Sequence, residues 1–188
     1  TQLAAKSYST DTMSAIGPAS LKAGDCLFVG EASEAAVAHP IVAPQLPDNQ
    51  DGALIRVILG PRDDWFTKDS VERFFATEWS VTSESNRIGV RLAPSQPAEQ
   101  PAHTKILERS HTEELPSEGM ISGAIQVPPN GEPVVFLADH PVTGGYPVIA
   151  SVHPDDLRLL AQSQPGTTIR FTRFEVETEA NEQENTRA

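Results

Sequence analysis

Between residues 117 and 147 short apolar runs alternate with glycine and proline so densely that no long helix or strand fits. Residues 124–127, apart from Gln126, and 134–138 are apolar, and Pro128-Pro129-Asn130-Gly131 separates them. Asn-Gly tolerates positive φ, which predicts a tight strand reversal there. Thr143-Gly144-Gly145-Tyr146-Pro147 follows, and then a further apolar run at 148–152. Sixteen prolines and 12 glycines in 188 residues extend the same constraint along the chain and argue against a helical bundle.

Elsewhere the pattern is again one of short strands. Residues 54–59 are rich in β-branched and leucine side chains, lie between Gly52 and Gly60-Pro61, and read as a buried strand. Trp79 and Val81 alternate with polar neighbours, as do Ile88, Val90 and Leu92. Ile169, Phe171 and Phe174 suit a last strand with Arg170 and Arg173 directed outward. Two short helices are predicted. Thr67 caps the first, with Phe66 and Val71 as a hydrophobic staple and Phe74 and Phe75 at helical spacing. Pro154 starts the second, Asp155 and Asp156 lie in its first turn, and Leu157, Leu160 and Ala161 are expected to face the core before Pro165-Gly166 stops it. Many short strands with two short helices indicate a mainly β barrel or sandwich. The segment 93–103 carries three prolines and no periodicity, and reads as a loop.

The formal net charge is −12. Residues 174–188 hold five Glu and one Arg, which is −4, and leave −8 elsewhere. Such a chain repels phosphate backbones, so nucleic acid is not an expected partner. No run reaches the length of a membrane span. Cys26 is the sole cysteine, which excludes a disulfide framework or a cysteine metal cluster within the chain. Its setting predicts a small buried side chain in a strand. His39, His103, His111, His140 and His153 make no ligand pair, so a metal site is not expected.

In order along the chain, Gly60-Pro61-Arg62-Asp63-Asp64-Trp65-Phe66, Ser85-Asn86-Arg87-Ile88-Gly89-Val90-Arg91-Leu92 and the 117–147 stretch resemble successive blocks of one family. It is the KipA family, also called allophanate hydrolase subunit 2, biotin-dependent carboxyltransferase-like protein or the C subunit of 5-oxoprolinase. The resemblance covers residues 9–174 and implies a cyclophilin-like β-barrel. It also implies a substantial segment ahead of Thr1, so the chain is expected to be a C-terminal portion. On this basis residues 1–50 are the end of a truncated β unit plus linker, 51–175 the carboxyltransferase-type domain, and 176–188 a disordered, dispensable acidic tail.

The activity implied is that of one component of an ATP-dependent 5-oxoprolinase, opening the lactam of 5-oxoproline to L-glutamate. The component is expected to be cytoplasmic and inactive by itself. Its implied partners are a KipI-like protein and a LamB/YcsF-like protein, with ATP used at the level of the complex. Two alternatives stand beside it. One is the carboxyltransferase component of a urea carboxylase, which brings in biotin. The other is a non-catalytic protein that binds a KipI-like partner. No biotin-acceptor Met-Lys motif, ATP-grasp segment or amidase serine-lysine signature occurs in the chain.

Three groups of residues carry candidate chemistry. Thr143, Gly144, Gly145 and Tyr146 form a substrate cradle in which glycines let backbone N–H groups approach a ligand, and a branch at Gly145 is expected to obstruct that approach. The segment is not a phosphate-binding P-loop. Ser117 is a second binding candidate, Glu118 a general base, and Gln126 an amide that both donates to and accepts from a lactam or urea. Asn86 and Arg87 form the third group, Arg87 offering a planar fork to a carboxylate or else a structural ion pair with Asp63 or Asp64. Asp63 and Asp64 favour the first turn of a helix, and Asp139 is a further polar candidate. Gln126 and the 143–146 loop are expected to share one barrel mouth, Gln126 at the strand end away from the hairpin turn.

Overall fold

A computed structural model describes Gly17, Ala19 and residues 21–26, 52–96 and 106–175. The chain divides into two compact units, Thr1–Gln45 and Leu46–Ala188. In the first, the Asp25 carboxylate accepts the Lys22 N–H at 2.7 Å, and the Asp25 N–H donates to the Lys22 carbonyl at 3.1 Å. Turn chemistry therefore governs this stretch, and Cys26 is exposed and outside any strand rather than buried in one. The acidic tail 176–188, His39 and His103 lie outside the described residues.

Among the described residues of the second unit there are nine strands: β1 Ala53–Leu59, β2 Trp79–Val81, β3 Gly89–Pro94, β4 Glu118–Gly119, β5 Ala124–Gln126, β6 Val134–Phe136, β7 Thr143–Gly144, β8 Val148–Val152 and β9 Thr168–Arg173. Seven of them close into a barrel in the order β1-β8-β5-β6-β3-β2-β9. The closing contact is parallel, β1 on β9 with Ile55 opposite Phe171, whereas the remaining neighbours run antiparallel. Closure removes the exposed sheet edge that a short-stranded sheet would otherwise present.

Strand alternation fills the lumen. Ile55, Val57, Val81, Val90, Leu92, Ile125, Val135 and Ile169 are buried in one cluster with Trp79 and Phe74. β1 alternates instead of being buried on both faces, since Leu54 and Ile58 are exposed. The predicted hairpin forms between β5 and β6, with Gly131 at φ 81° and its N–H on the Pro128 carbonyl at 3.0 Å.

Helix α1, Lys68–Ala76, packs Phe74 into the main core. Thr67 caps it by accepting the Ser70 N–H. Phe74 is fully buried and stacks on Phe171 at 4.6 Å, and its carbonyl takes the Trp79 indole N–H at 3.0 Å. Truncating Trp79 to alanine would cost ~3–5 kcal/mol. Helix α2, Leu157–Ala161, buries Leu160 but leaves Ala161 exposed. Its five residues make barely one turn and a half, too short for a continuous stripe. Asp156, ahead of α2, is buried and gripped by Arg56 of β1 through Nη2 at 2.7 Å, Nε at 3.0 Å and the backbone N–H at 2.8 Å. This contact ties the helix start to the sheet.

Candidate functional site

A small second core lies on the outer face of the barrel wall. In β5, Ile125 points into the lumen, so Ala124 and Gln126 face outward. Ala124 packs there with Phe136, Val148 and Met120. A flap covers this patch. It is the two-stranded β4–β7 sheet, with Glu118 opposite Gly144 and Gly119 opposite Thr143, and it is extended by the Met120 N–H on the Val142 carbonyl at 2.9 Å.

Gln126 sits beneath the flap at 6% exposure. Its Nε2 donates to the Tyr146 carbonyl at 2.9 Å and lies 4.0 Å from the Met120 sulfur. No protein group hydrogen-bonds its Oε1 among the described residues. Two expectations are corrected here. Gln126 is the strand residue next to the hairpin turn, not the one away from it, and it reaches the 143–146 loop because its neighbour on the other side is β8, where it pairs with Val148. The site therefore stands on the outside of the barrel wall and not at the barrel mouth.

Gly144 is the glycine that this approach requires. A Cβ there would lie 2.6 Å from Gln126 Nε2 and 3.2 Å from Met120 Cγ and Sδ. At Gly145 a Cβ would meet only the Leu115 carbonyl at 3.6 Å, ordinary contact, so protein packing requires a glycine at 144 and not at 145. Thr143, Gly145 and Tyr146 are exposed along the flap, as is Ser117.

Glu118 is held by Arg62. The Arg62 Nε donates to both carboxylate oxygens, at 2.9 and 3.2 Å, and Nη2 donates to Oε1. These hydrogen bonds, followed by the charge attraction to Glu118, raise the pKa of the Arg62 guanidinium. The Arg62 N–H also donates to the Val148 carbonyl at 2.9 Å, so the ion pair fastens the flap to β8. Asp63 and Asp64 lie in a 3-10 turn, Asp63–Trp65, as their helix-start chemistry predicts.

One residue escaped the sequence reading. Arg109 is positioned by a single β-bridge to Phe66, by the Thr67 N–H on the Glu108 carbonyl and by the Ser110 N–H on the Trp65 carbonyl. Its Nη2 donates to the Val127 carbonyl at 2.8 Å, and its guanidinium lies over the Tyr146 ring at 5.5 Å. It forms no ion pair among the described residues, and its Nε is buried without a hydrogen-bond partner. Burial lowers its pKa, opposed by the Tyr146 hydroxyl. No local periodicity marks this arginine, because it acquires its setting from segments about 20 to 40 residues away.

Asn86 and Arg87 lie elsewhere. The Asn86 Oδ1 accepts the N–H groups of Ile88 at 2.8 Å and Gly89 at 3.3 Å, shaping the turn into β3. Arg87 pairs with Asp139 at 2.9 Å, not with Asp63 or Asp64, and its carbonyl accepts the Asp139 N–H. Both line a cavity of about 500 Å³ that shares no lining residue with the flap. His111 stacks on Trp65 with ring centroids 4.9 Å apart. Among the described residues no group of three or more His, Cys, Asp or Glu could hold a metal ion.

Residues 1–173 match the family described as carboxyltransferase domain, subdomain A and B. The chain belongs to that family. It is 35% identical over 174 residues to the C subunit of 5-oxoprolinase from Escherichia coli (strain K12), covering 91% of this chain and 52% of the relative. It is 32% identical over 179 residues to urea amidolyase of Saccharomyces cerevisiae, covering 88% of this chain and 10% of that protein. Among solved structures it resembles TTHA0988 with a TM-score of 0.64 and 32% identity, over 87% of this chain and 30% of that one. This carboxyltransferase-domain chain thus spans about half the length of the 5-oxoprolinase relatives it matches. No helix among its described residues is long and apolar enough to cross a membrane.

Proposed function

We propose that this carboxyltransferase-domain chain is one component of a cytoplasmic, ATP-dependent 5-oxoprolinase complex that converts 5-oxoproline to L-glutamate, and that it is inactive without its partners. One juxtaposition carries the reading. Arg109, with no counter-charge among the described residues, and Gln126, with its Oε1 unpartnered among them, both rest on Tyr146. 5-Oxoproline offers what each lacks: a carboxylate for the guanidinium and a lactam N–H for the amide oxygen. Backbone N–H groups of Thr143, Gly145 and Tyr146 are the donors for the lactam oxygen as charge develops on it, while the Gly144 N–H is engaged by β4 in the flap. Glu118 acts through Arg62 by holding the flap in place, and Ser117 flanks the flap on its exposed side. The naming of relatives as the C subunit of 5-oxoprolinase supports the same substrate.

The flap residues do not fit a nucleotide triphosphate. Arg62 is neutralised by Glu118, which leaves Arg109 as the one uncompensated cation at the flap among the described residues, in a chain of net charge −12. ATP therefore belongs to the partner proteins, one KipI-like and one LamB/YcsF-like. The test is ATP-dependent glutamate formation from 5-oxoproline by the chain mixed with those two partners. Absence of product from the assembled complex rejects the 5-oxoprolinase reading, and turnover by the isolated chain rejects the need for partners.

Similarity to urea amidolyase favours a second reading, carboxyl transfer from biotin to urea. Carboxybiotin and the carboxylated urea carry the carboxylate that urea lacks, so Arg109 serves either reading, and the higher identity and larger covered share of the 5-oxoprolinase relatives rank the lactam first. A purely regulatory KipI-binding role leaves Gln126 and Arg109 without any task.

A further inference from the structure

The cavity beside Asn86 and Arg87 is separate from the flap, and its chemistry is one-sided. Its floor is apolar, formed by Val90, Leu137, Leu157 and Leu160. The serine hydroxyl protons and the Asn86 amide oxygen around it are engaged within the protein. Ser163 Oγ donates to the Leu159 carbonyl at 2.8 Å, and Ser122 Oγ is directed to the Leu137 carbonyl at 3.4 Å. Ser85 Oγ accepts the Arg91 N–H at 3.0 Å, and both bonds to Asn86 Oδ1 come from the backbone. N–H donors remain: the Asn86 amide NH2, the Arg87 guanidinium and the Arg158 guanidinium. Arg87 is balanced by Asp139. Arg158 donates its Nε to the Asp155 carbonyl at 3.3 Å and forms no ion pair among the described residues. A rim of donors with a net positive charge, on a chain of net charge −12, selects an acceptor with a negative charge.

We propose that this cavity, at the opposite end of β3 and β6 from the hairpin turn, is a binding site for a small organic anion with an apolar body. The apolar part lies on Val90, Leu137 and Leu160, and the anionic head meets Arg158 and the Asn86 amide. About 500 Å³ suits a molecule of drug-like size. Ala161, exposed on α2 against the expectation that it packs inward, is part of this wall. So is Ala138 at the end of β6.

Anilinonaphthalene sulfonate has the required shape and charge, and its fluorescence reports transfer to an apolar site. We expect saturable binding of one equivalent to the full chain, displaced by medium-chain alkyl carboxylates and not by alkylammonium ions of the same length. Arg158→Gln removes an exposed charge without touching the core, and should weaken binding about fivefold or more with unchanged Tm. Ala138→Trp fills the cavity from its exposed rim and should abolish binding. A Tm within a degree or two of the parent shows that each variant is folded. Equal binding by parent and both folded variants overturns the proposal, as does no saturable binding to the parent or equal displacement by alkylammonium.

Discussion

The side-chain amide of Gln126 donates to the backbone carbonyl of Tyr146 at 2.9 Å, joining two residues that stand 20 positions apart. The bond crosses from the outer face of β5 to the loop leading into β8. It leaves the amide oxygen available and holds the glycine strand against the barrel wall.

Gly144 and Gly145 should separate cleanly in a substitution test. Gly144→Ala places a Cβ 2.6 Å from the Gln126 nitrogen and forces the amide away. Overpacking of this kind costs ~1–3 kcal/mol. If Gln126 orients the lactam, turnover by the reconstituted complex should fall on the order of 10²-fold. Gly145→Ala meets only a carbonyl at 3.6 Å and should leave both Tm and turnover near the parent values. Equal effects at the two positions would contradict the assigned geometry.

Arg109→Gln should raise KM for 5-oxoproline far more than it lowers kcat, because a carboxylate contact is present before and during the reaction. Loss of a charge-assisted contact of ~2–3 kcal/mol corresponds to about 30–150-fold in kcat/KM. The variant also removes a partly buried charge without a counter-ion, so its Tm should not fall by much. A parent-like KM with an active complex would remove Arg109 from the substrate site.

The Arg62–Glu118 pair is predicted to act as a tether. Glu118→Gln should weaken the flap and lower turnover modestly, and Arg62→Gln should do the same. Because the two groups touch, the double variant should cost less than the sum of the single ones. Additive losses, or an abolished proton-transfer limb in the pH–rate profile of Glu118→Gln alone, would instead make Glu118 a catalytic base.

Asp156 predicts a pH dependence of stability. Hydrogen bonds from the Arg56 side chain hold its carboxyl below the usual carboxylate range, against the opposing effect of burial. A depressed folded-state pKa contributes stability above the unfolded value, near 3.9, and that stability is lost as the pH falls through the lower folded value. Denaturant midpoints of the parent should therefore be insensitive to this group from pH 7 to about 5 and should drop below about 4. Asp156→Asn should be less stable than the parent at pH 7, and the difference should shrink in acid. A constant difference across that range would assign the stabilisation to packing.

Much of the barrel was legible in the sequence for a local reason. Asn130-Gly131 demands a hairpin, Thr67 demands a helix start, and Val90/Leu92 or Trp79/Val81 alternate with the pleat of a half-buried strand. These signals depend only on backbone sterics and period, which the chain carries within a few residues. The candidate site was legible in part: Gln126, Glu118 and the 143–146 loop do converge. That they converge on the outer face of the wall, that Arg62 pairs with Glu118, and that Arg87 turns to Asp139 were decided by strand order. β5 pairs with β8 as well as β6, and no local pattern states which two strands will flank a third. Arg109 is the extreme case. Its sequence neighbourhood is featureless, and only closure of the barrel places a guanidinium, a carbonyl and an aromatic ring from three segments against one another. Periodicity along the chain thus determined which residues form strands and helices, and long-range pairing in the closed barrel determined which polar side chains meet.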